Sequence, residues 1–550
     1  MKLKKEVDEK ADEKSLEHVN MVTSDIVREA TKKLKPGKSD PVFSFSSDCF
    51  KHGPDSLYTS LFLIIRSFLI HGHVSHILFL AILVPLIKDK LGSQTTSKNY
   101  HSIAISSILL KIIDWVFLLL FGVSFGLNDF QFAYQAGCST TMCTWAVVET
   151  VEIFLNSGSE VFSCAMDMTK AFDLTLHSLL FKKMVDAGFS VIFIRLFMYI
   201  YMNQVANVRW NGEMSSYFSM TNGVRQGAVL SAIVYCFYCE NLFALLKQRR
   251  SGCWVQGSYH GIFGYSDDNW LLAPSLNALQ DMLHTCEQYA ASHNLNFSTD
   301  PNPNRCKTKL MAFLRKQIDL PNLKLCGIPL PWVNSLKHLG NTISNQLDGN
   351  QMNIKVKAAK LIDKNNSICQ EFYFAHPDTK FFLNNLYNNH FSGSPLWKLG
   401  NKEYEKLIGT YKRSIKIMYD LSWQTHRYFM EPLTGRPHVS RILKSRFLSF
   451  VNMIEKSNKP ALRNLLSLVQ NDVRTITGFN LRTIMISAGH SSINDLKSSK
   501  PEQDYCKIPE AELWRVGILK ELIDVRCNQL DVPAFEKQEI NDILHYICTE

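Results

Sequence analysis

The sequence predicts an α+β protein, and three observations carry that reading. Val161-Phe-Ser-Cys-Ala-Met-Asp167 alternates like a strand and ends on an aspartate. Ile262-Phe263 and Trp270-Leu271-Leu272 flank Gly264-Tyr265-Ser266-Asp267-Asp268-Asn269, which reads as a short hairpin with a polar tip. From about Asn353 to the end the periodicity is helical. Strand and helix patterns thus occur in the same chain.

The hairpin tip is the first candidate site. Two adjacent aspartates repel each other, and apolar strands on both sides hold them together. They form either an Asp-rich turn, for which Asp is well suited, or the ligands of a cation such as Mg²⁺. Asp167 at the exit of its own strand supplies a third carboxylate if the two strands are neighbours in one sheet.

At 550 residues the chain has room for several domains' worth of core. Hydrophobic content of 46% with 20% charged residues is ordinary for a folded protein. The 60 Lys and Arg against 50 Asp and Glu leave a net charge of +10, compatible with a polyanionic partner. Fourteen scattered cysteines, with no secretory signal, point to reduced thiols and an intracellular location, nucleus or cytoplasm unresolved. Cys236 and Cys239 lie in an apolar aromatic run and read as buried helix residues rather than metal ligands. Trp115–Leu127 is uncharged and mostly apolar but falls short of the roughly 20 residues a spanning helix needs, so no membrane is expected. Leu61–Leu86 is interrupted by Arg66, His71, His73 and His76.

In order, residues 1–38 are charge-dense and read as a frayed helix or a tail, closed by Lys35-Pro-Gly-Lys38. An apolar helical region follows, then Tyr100-His-Ser-Ile, an apolar helix, and the compact turn Gln131-Phe-Ala-Tyr-Gln-Ala-Gly-Cys-Ser-Thr140. The helix after it carries Glu149 and Glu152, which read as a solvated face. Asp173, at a helix start, reads as a capping residue. Asn222-Gly-Val-Arg-Gln-Gly-Ala-Val-Leu-Ser231 is a Gly-bracketed loop feeding an apolar helix. Such a loop brings backbone close to a flat or anionic ligand. Beyond the hairpin, Leu279–Leu295 reads as an amphipathic helix, and Arg305-Cys-Lys307-Thr-Lys309 as the basic start of a strand. Leu336-Lys-His-Leu-Gly340-Asn reads as a tight turn between strands.

Taken in order, Asp167 with Phe172, then Gly223-Val-Arg-Gln-Gly227, then Tyr265-Ser-Asp-Asp268, resemble a reverse transcriptase of the non-LTR, LINE-like type. Asn99-Tyr100 with Ile103, Gln131-Phe with Gly137-Cys-Ser-Thr, Lys307-Thr-Lys309 and His338-Leu-Gly340 agree with it over about residues 35–345. The resemblance extends more loosely through Trp397, Thr425-His-Arg427 and Thr475-Ile-Thr-Gly478.

The resemblance implies a right-hand polymerase with fingers, an antiparallel-sheet palm, a helical thumb and a helical C-terminal extension. The corresponding divisions are a 1–38 tail, 39–160 fingers and 161–345 palm, with 178–221 shared between fingers and palm helices. A thumb-like 346–440 and a helical 441–550 follow. Asp167, Asp267 and Asp268 match the catalytic, metal-binding aspartates, and two Mg²⁺ are implied. Phe172, Arg225, Gln226, Gly227 and Lys307 match the nucleotide-binding positions, with Phe172 the ring that excludes a 2′-hydroxyl. His338 and Gly340 fall in the primer-grip region. Implied partners are an RNA template, a DNA primer and dNTPs, with oligomeric state open.

The sequence departs from the pattern at Ser266, where Ala is commoner, at His101-Ser102 in place of Arg-Pro, and at Ser231-Ala232, which lacks a Pro. Such elements often carry an endonuclease before the polymerase, and residues 1–35 do not hold one, so an element without that domain is expected. The leading expectation is RNA-templated DNA synthesis on a primer 3′-hydroxyl. The alternative is a catalytically silent nucleic-acid-binding remnant of such an element.

Overall fold

The structure is a computed structural model. It describes residues 2–10, 13–41, 43, 45–88, 92–225, 227–346, 350–387, 391–426 and 429–490, with 492, 520, 523 and 524 beyond them.

Two sheets organise the first two-thirds of the chain. In the four-stranded sheet the order is Lys309–Phe313, Val161–Asp167, Asp268–Ala273, Ile262–Tyr265, all neighbours antiparallel. Its two central strands are buried on both faces: Trp270, Leu271, Leu272 and Ala273 are solvent-free, as are Val161, Ser163 and Cys164. That is why the 270–273 stretch reads as a continuous apolar run rather than an alternation. Trp270 meets the edge of the His338 ring on one face. On the other face Asn269 and Phe243, from the helix Ser231–Gln248, crowd Gly264.

The second sheet places Leu80–Ile87 between Tyr100–Ser106, antiparallel, and Val205–Trp210, parallel. Short ribbons, Glu213–Met214 and Phe218–Ser219, extend it from the 205–210 strand. The Val205–Trp210 strand that joins it from beyond residue 160 lies in the 178–221 stretch expected to be shared between fingers and palm.

Residues 1–38 differ from the expected tail. Lys2–Glu9, Glu13–Asn20 and Ser24–Lys32 are helices, and Val7, Val19, Val22, Val27 and Ala30 join the core. The apolar residues are few but spaced three to four apart where they matter, so a charge-dense sequence still presents one buried stripe. Thr23 caps the third helix by accepting from Ile26 N, and Arg66 donates to the Val22 carbonyl at 2.8 Å. At the other expected helix start, Asp173 is not the cap of Ala171–Leu174; Lys170, at φ 50°, holds that position.

Among the described residues, one stretch, Ile108–Phe125, is long and apolar enough to cross a membrane by length and composition. Phe117 on it packs against the rings of Phe121, Phe125, Phe189, Phe193 and Phe197.

The helices Gln351–Glu371, Lys402–Met418, Val439–Glu455, Pro460–Val469 and Ile476–Ser487 follow, sharing one continuous core with the rest. The helix Thr140–Asn156 ties them to the sheet, and here Glu149 and Glu152 depart from expectation. Both are buried. Glu152 Oε2 accepts from Ile476 N at 2.7 Å, and Glu149 Oε1 accepts from Thr477 N at 3.1 Å and from the Thr477 hydroxyl. The first backbone N–H groups of a helix have no partner within it, and its N-terminus attracts negative charge. Two carboxylates one helical turn apart supply both needs. Trp145 Nε1 completes the joint by donating to Thr477 Oγ1 at 2.9 Å.

Candidate active site

Register brings the carboxylates together. Asp268 pairs directly with Asp167 across neighbouring strands and with Tyr265 across its own hairpin. Side chains directly opposite share a face of the sheet, so Asp167 and Asp268 project side by side. Asp267 is the second residue of the two-residue turn between Tyr265 and Asp268.

The backbone around the three is tightly held. Asp167 N donates to Thr308 Oγ1 at 3.3 Å, and the Asp167 carbonyl accepts from Ser298 N at 2.8 Å. Ser266 sits at φ 63°, the left-handed region that a side chain disfavours. Its N–H donates to Gln131 Oε1 at 2.9 Å. Gly264 leaves no room for a side chain, since a Cβ there would lie 2.4 Å from Asn269 Oδ1 and 2.6 Å from the Phe243 ring.

The charge balance is negative and only partly compensated. Burial pushes the Asp268 carboxyl up to about 6, and the Asp267 and Asp167 carboxylates push it the same way. Asp267 is also raised, first by burial and then by Asp167. Lys307 works against both shifts, and its Nζ lies 3.3 Å from Asp167 Oδ2. Among the described residues no three His, Cys, Asp or Glu side chains close on one point as ligands of a single ion. The donor set is nonetheless all carboxylate oxygen, the chemistry hard divalent cations prefer.

The expected nucleotide-side residues fall into two groups. Phe172 is half-buried and lies over Tyr235, ring centroids 5.0 Å apart, and Tyr235 donates to Met168 Sδ at 2.9 Å. The Phe172 carbonyl accepts from Val224 N at 2.8 Å, and a Cβ on Gly223 would lie 2.8 Å from that oxygen. Gly227, at φ 114°, approaches so closely that a Cβ would lie 2.6 Å from the Ala104 carbonyl. So the loop after residue 222 is seated between the 171–174 turn and the second sheet. Gln226 lies outside the described residues.

Arg225 turns inward instead. It is buried, its guanidinium 6.0 Å from the centre of the Tyr201 ring, and Asp114 helps hold it charged while burial lowers its pKa. Asp114 is itself raised to about 6 by burial and accepts from Leu230 N at 3.3 Å. Arg225 thus occupies the interior, and no described contact turns it to a ligand.

His338 is also internal. Burial lowers its pKa to about 3, Nδ1 lies 3.4 Å from Thr144 Oγ1, and its ring meets Trp270 edge-on at 4.8 Å. Gly340, at φ 83°, is at the tip of the Ser335–His338, Asn341–Ser344 hairpin, with open space around it. Only Gly340 of this pair is presented outward.

Sequence reasoning placed Gln131 and Thr308 inside motifs without giving either a role, and did not single out Lys459. Lys459 is buried, donates to the Asn128 carbonyl at 3.0 Å, and stands 5.4 Å from the Phe132 ring centre. These are partnerships across the chain, with no local signature.

Residues 88–343 match the family described as reverse transcriptase (RNA-dependent DNA polymerase). The chain is 24% identical over 225 residues to the probable RNA-directed DNA polymerase from transposon X-element of Drosophila melanogaster, covering 40% of this chain and 23% of that protein. It is 25% identical over 338 residues to the RNA-directed DNA polymerase from mobile element jockey of Drosophila funebris, covering 59% and 35%. The chain therefore spans about a quarter to a third of the length of these relatives. Among solved structures, a truncated apo telomerase from Candida tropicalis is 12% identical at a TM-score of 0.32, over 56% of this chain and 61% of that one. A Candida albicans telomerase with a telomeric RNA fragment is 10% identical at 0.34, over 83% and 69%. Similarity that low fixes no common fold. Residues 88–343, which contain Asp167, Asp267 and Asp268, match the reverse transcriptase family, a family of nucleotidyltransferases, and the chain is similar to the RNA-directed DNA polymerases of non-LTR elements.

Proposed function

We propose that the chain is an RNA-directed DNA polymerase that adds dNTPs to a primer 3′-hydroxyl on an RNA template. The observation that carries the reading is the direct cross-strand pairing of Asp167 with Asp268, beside a hairpin tip that holds Asp267. The four-stranded sheet is read as the palm, residues 39–160 as chiefly fingers, and 346–440 as the thumb.

Asp167, Asp267 and Asp268 are read as the holders of two Mg²⁺. When bound, these ions supply Lewis acidity toward the attacking hydroxyl and the leaving pyrophosphate. The chain's own contribution is positioning and charge, which suffices for phosphoryl transfer. The raised Asp267 and Asp268 are carboxylates that water stabilises poorly, so a cation gains more from them than from exposed acids. Lys307, whose Nζ lies 3.3 Å from Asp167 Oδ2, is read as the group that meets phosphate charge. Phe172, backed by Tyr235, is a firm wall against a 2′-hydroxyl.

Primer extension by purified protein on a primed RNA template, with dNTPs and rNTPs in parallel, tests the proposal. Mg²⁺-dependent dNTP incorporation is expected. Binding of primer and template without incorporation, with affinity falling steeply in salt, would mark the silent remnant instead.

A further inference from the structure

We propose that Gln131 is a positioning residue that sets the conformation of the Ser266-Asp267 turn and thereby aims the Asp267 and Asp268 carboxylates. The link to catalysis rests on the polymerase reading, while the link to the turn stands on geometry alone.

Ser266 lies at φ 63°, and a two-residue hairpin turn of this form would ordinarily place glycine there. A side chain in the left-handed region is unfavourable and persists where its surroundings hold it. Gln131 does the holding from outside the hairpin. It is completely buried, and its Oε1 accepts from Ser266 N at 2.9 Å and from Ala133 N at 3.0 Å. Two converging N–H donors fix which end of the amide is oxygen, since the flipped amide would set donor against donor. The backbone on either side of Gln131 also bridges the hairpin's outer strand: Phe132 N donates to the Gly264 carbonyl and Gly264 N to the Phe130 carbonyl, both at 2.8 Å.

The support is itself anchored. Lys459 Nζ, from the start of the Pro460–Val469 helix, donates to the Asn128 carbonyl three residues before Gln131 and lies over Phe132. Gln135 Nε2 donates to the Gln131 carbonyl at 2.5 Å. The turn that carries the carboxylates is thus shaped by a glutamine 135 residues earlier in the chain.

Gln131→Met keeps the length of the side chain and removes the amide acceptor. In the full chain, we expect kcat for dNTP incorporation to fall about 10- to 100-fold with KM and primer–template affinity within about twofold, the pattern of an interaction realised in the transition state. Mn²⁺ affinity, read by electron paramagnetic resonance, is expected to weaken about tenfold, and amide exchange to quicken at residues 264–268 but not in the 161–167 strand. The decisive step is Ser266→Gly in the Gln131→Met background. Glycine accepts a positive φ without help, so it is expected to recover at least a third of the lost Mn²⁺ affinity and exchange protection.

If wild-type protein incorporates no nucleotide, the polymerase reading fails, and Mn²⁺ binding with exchange still judge the positioning role. If Gln131→Met does not fold, Gln131→Asn withdraws the acceptor by one methylene and is read the same way. Wild-type exchange and Mn²⁺ affinity in the folded variant would overturn the proposal, as would no recovery on adding Ser266→Gly.

Discussion

Of the described hairpins that turn in two residues, the 335–344 and 262–273 hairpins stay turned by different means. In the 335–344 hairpin, Leu339 and Gly340 have φ of 47° and 83°. Positive φ at both central positions is the mirror-image turn that matches the twist of the strands. Glycine at the second position makes it inexpensive, and nothing crowds it. In the 262–273 hairpin the tip is Ser266-Asp267, with no glycine in the turn itself and φ 63° on the serine. Its conformation depends on Gln131 and on the close fit of Gly264 below. A hairpin that supports the interior, as His338 does beneath Trp270, carries its turn signal locally. One that presents carboxylates gives up the favoured turn residues to function and is held by the rest of the fold.

The comparison breaks most sharply at the carboxylates. Asp268→Asn is expected to lower dNTP incorporation by about 10³-fold, the scale of a few kcal/mol of lost transition-state stabilisation. The same change is expected to raise the stability of the metal-free protein by on the order of 1 kcal/mol after discounting for partial exposure. It removes a carboxylate that burial and two like charges have pushed up to about 6. Activity assays and urea unfolding without divalent ions read the two effects. Lower stability in the Asp268→Asn variant would mean that the site is not electrostatically strained.

Glycines give the next contrast. Gly264→Ala is expected to cost about 1–3 kcal/mol, because its Cβ meets Asn269 and the Phe243 ring. Gly340→Ala meets nothing and costs about 1 kcal/mol, from the left-handed backbone alone. Equal unfolding midpoints for the two variants would contradict the account of the hairpins.

The smallest effect is on pH. Glu149 and Glu152 are buried, and burial raises both above their ordinary value of 4.5. A carboxyl with a raised folded pKa binds more protons folded than unfolded, so stability falls as pH rises from about 4.5 towards neutrality. Glu152→Gln keeps an acceptor for Ile476 N and is expected to flatten that fall in stability above about pH 4.5. An unchanged slope would show that Glu152 is not the group titrating.

What is legible in the sequence is local. The 161–167 strand, the polar-tipped hairpin and the helix at Leu276–Ser292 all show in period and turn chemistry. The order of the motifs leads to the reverse transcriptase family. What stays hidden is pairing across distance. Glu149 and Glu152 read as solvated because nothing near them shows that Ile476 and Thr477 arrive to donate N–H groups. Arg225 reads as a ligand contact because its loop is Gly-rich, whereas Tyr201 and Asp114 enclose it in the interior. Residues 1–38 read as a tail because charge outweighs a few well-spaced apolar residues.

The most direct test is primer extension on a primed RNA template with Mg²⁺, comparing wild type with Asp267→Ala/Asp268→Ala. Incorporation of dNTPs by wild type and its loss in the double variant is the expected result. Equal behaviour of the two proteins, active or inactive, would contradict the claim that these paired carboxylates are the centre of a polymerase.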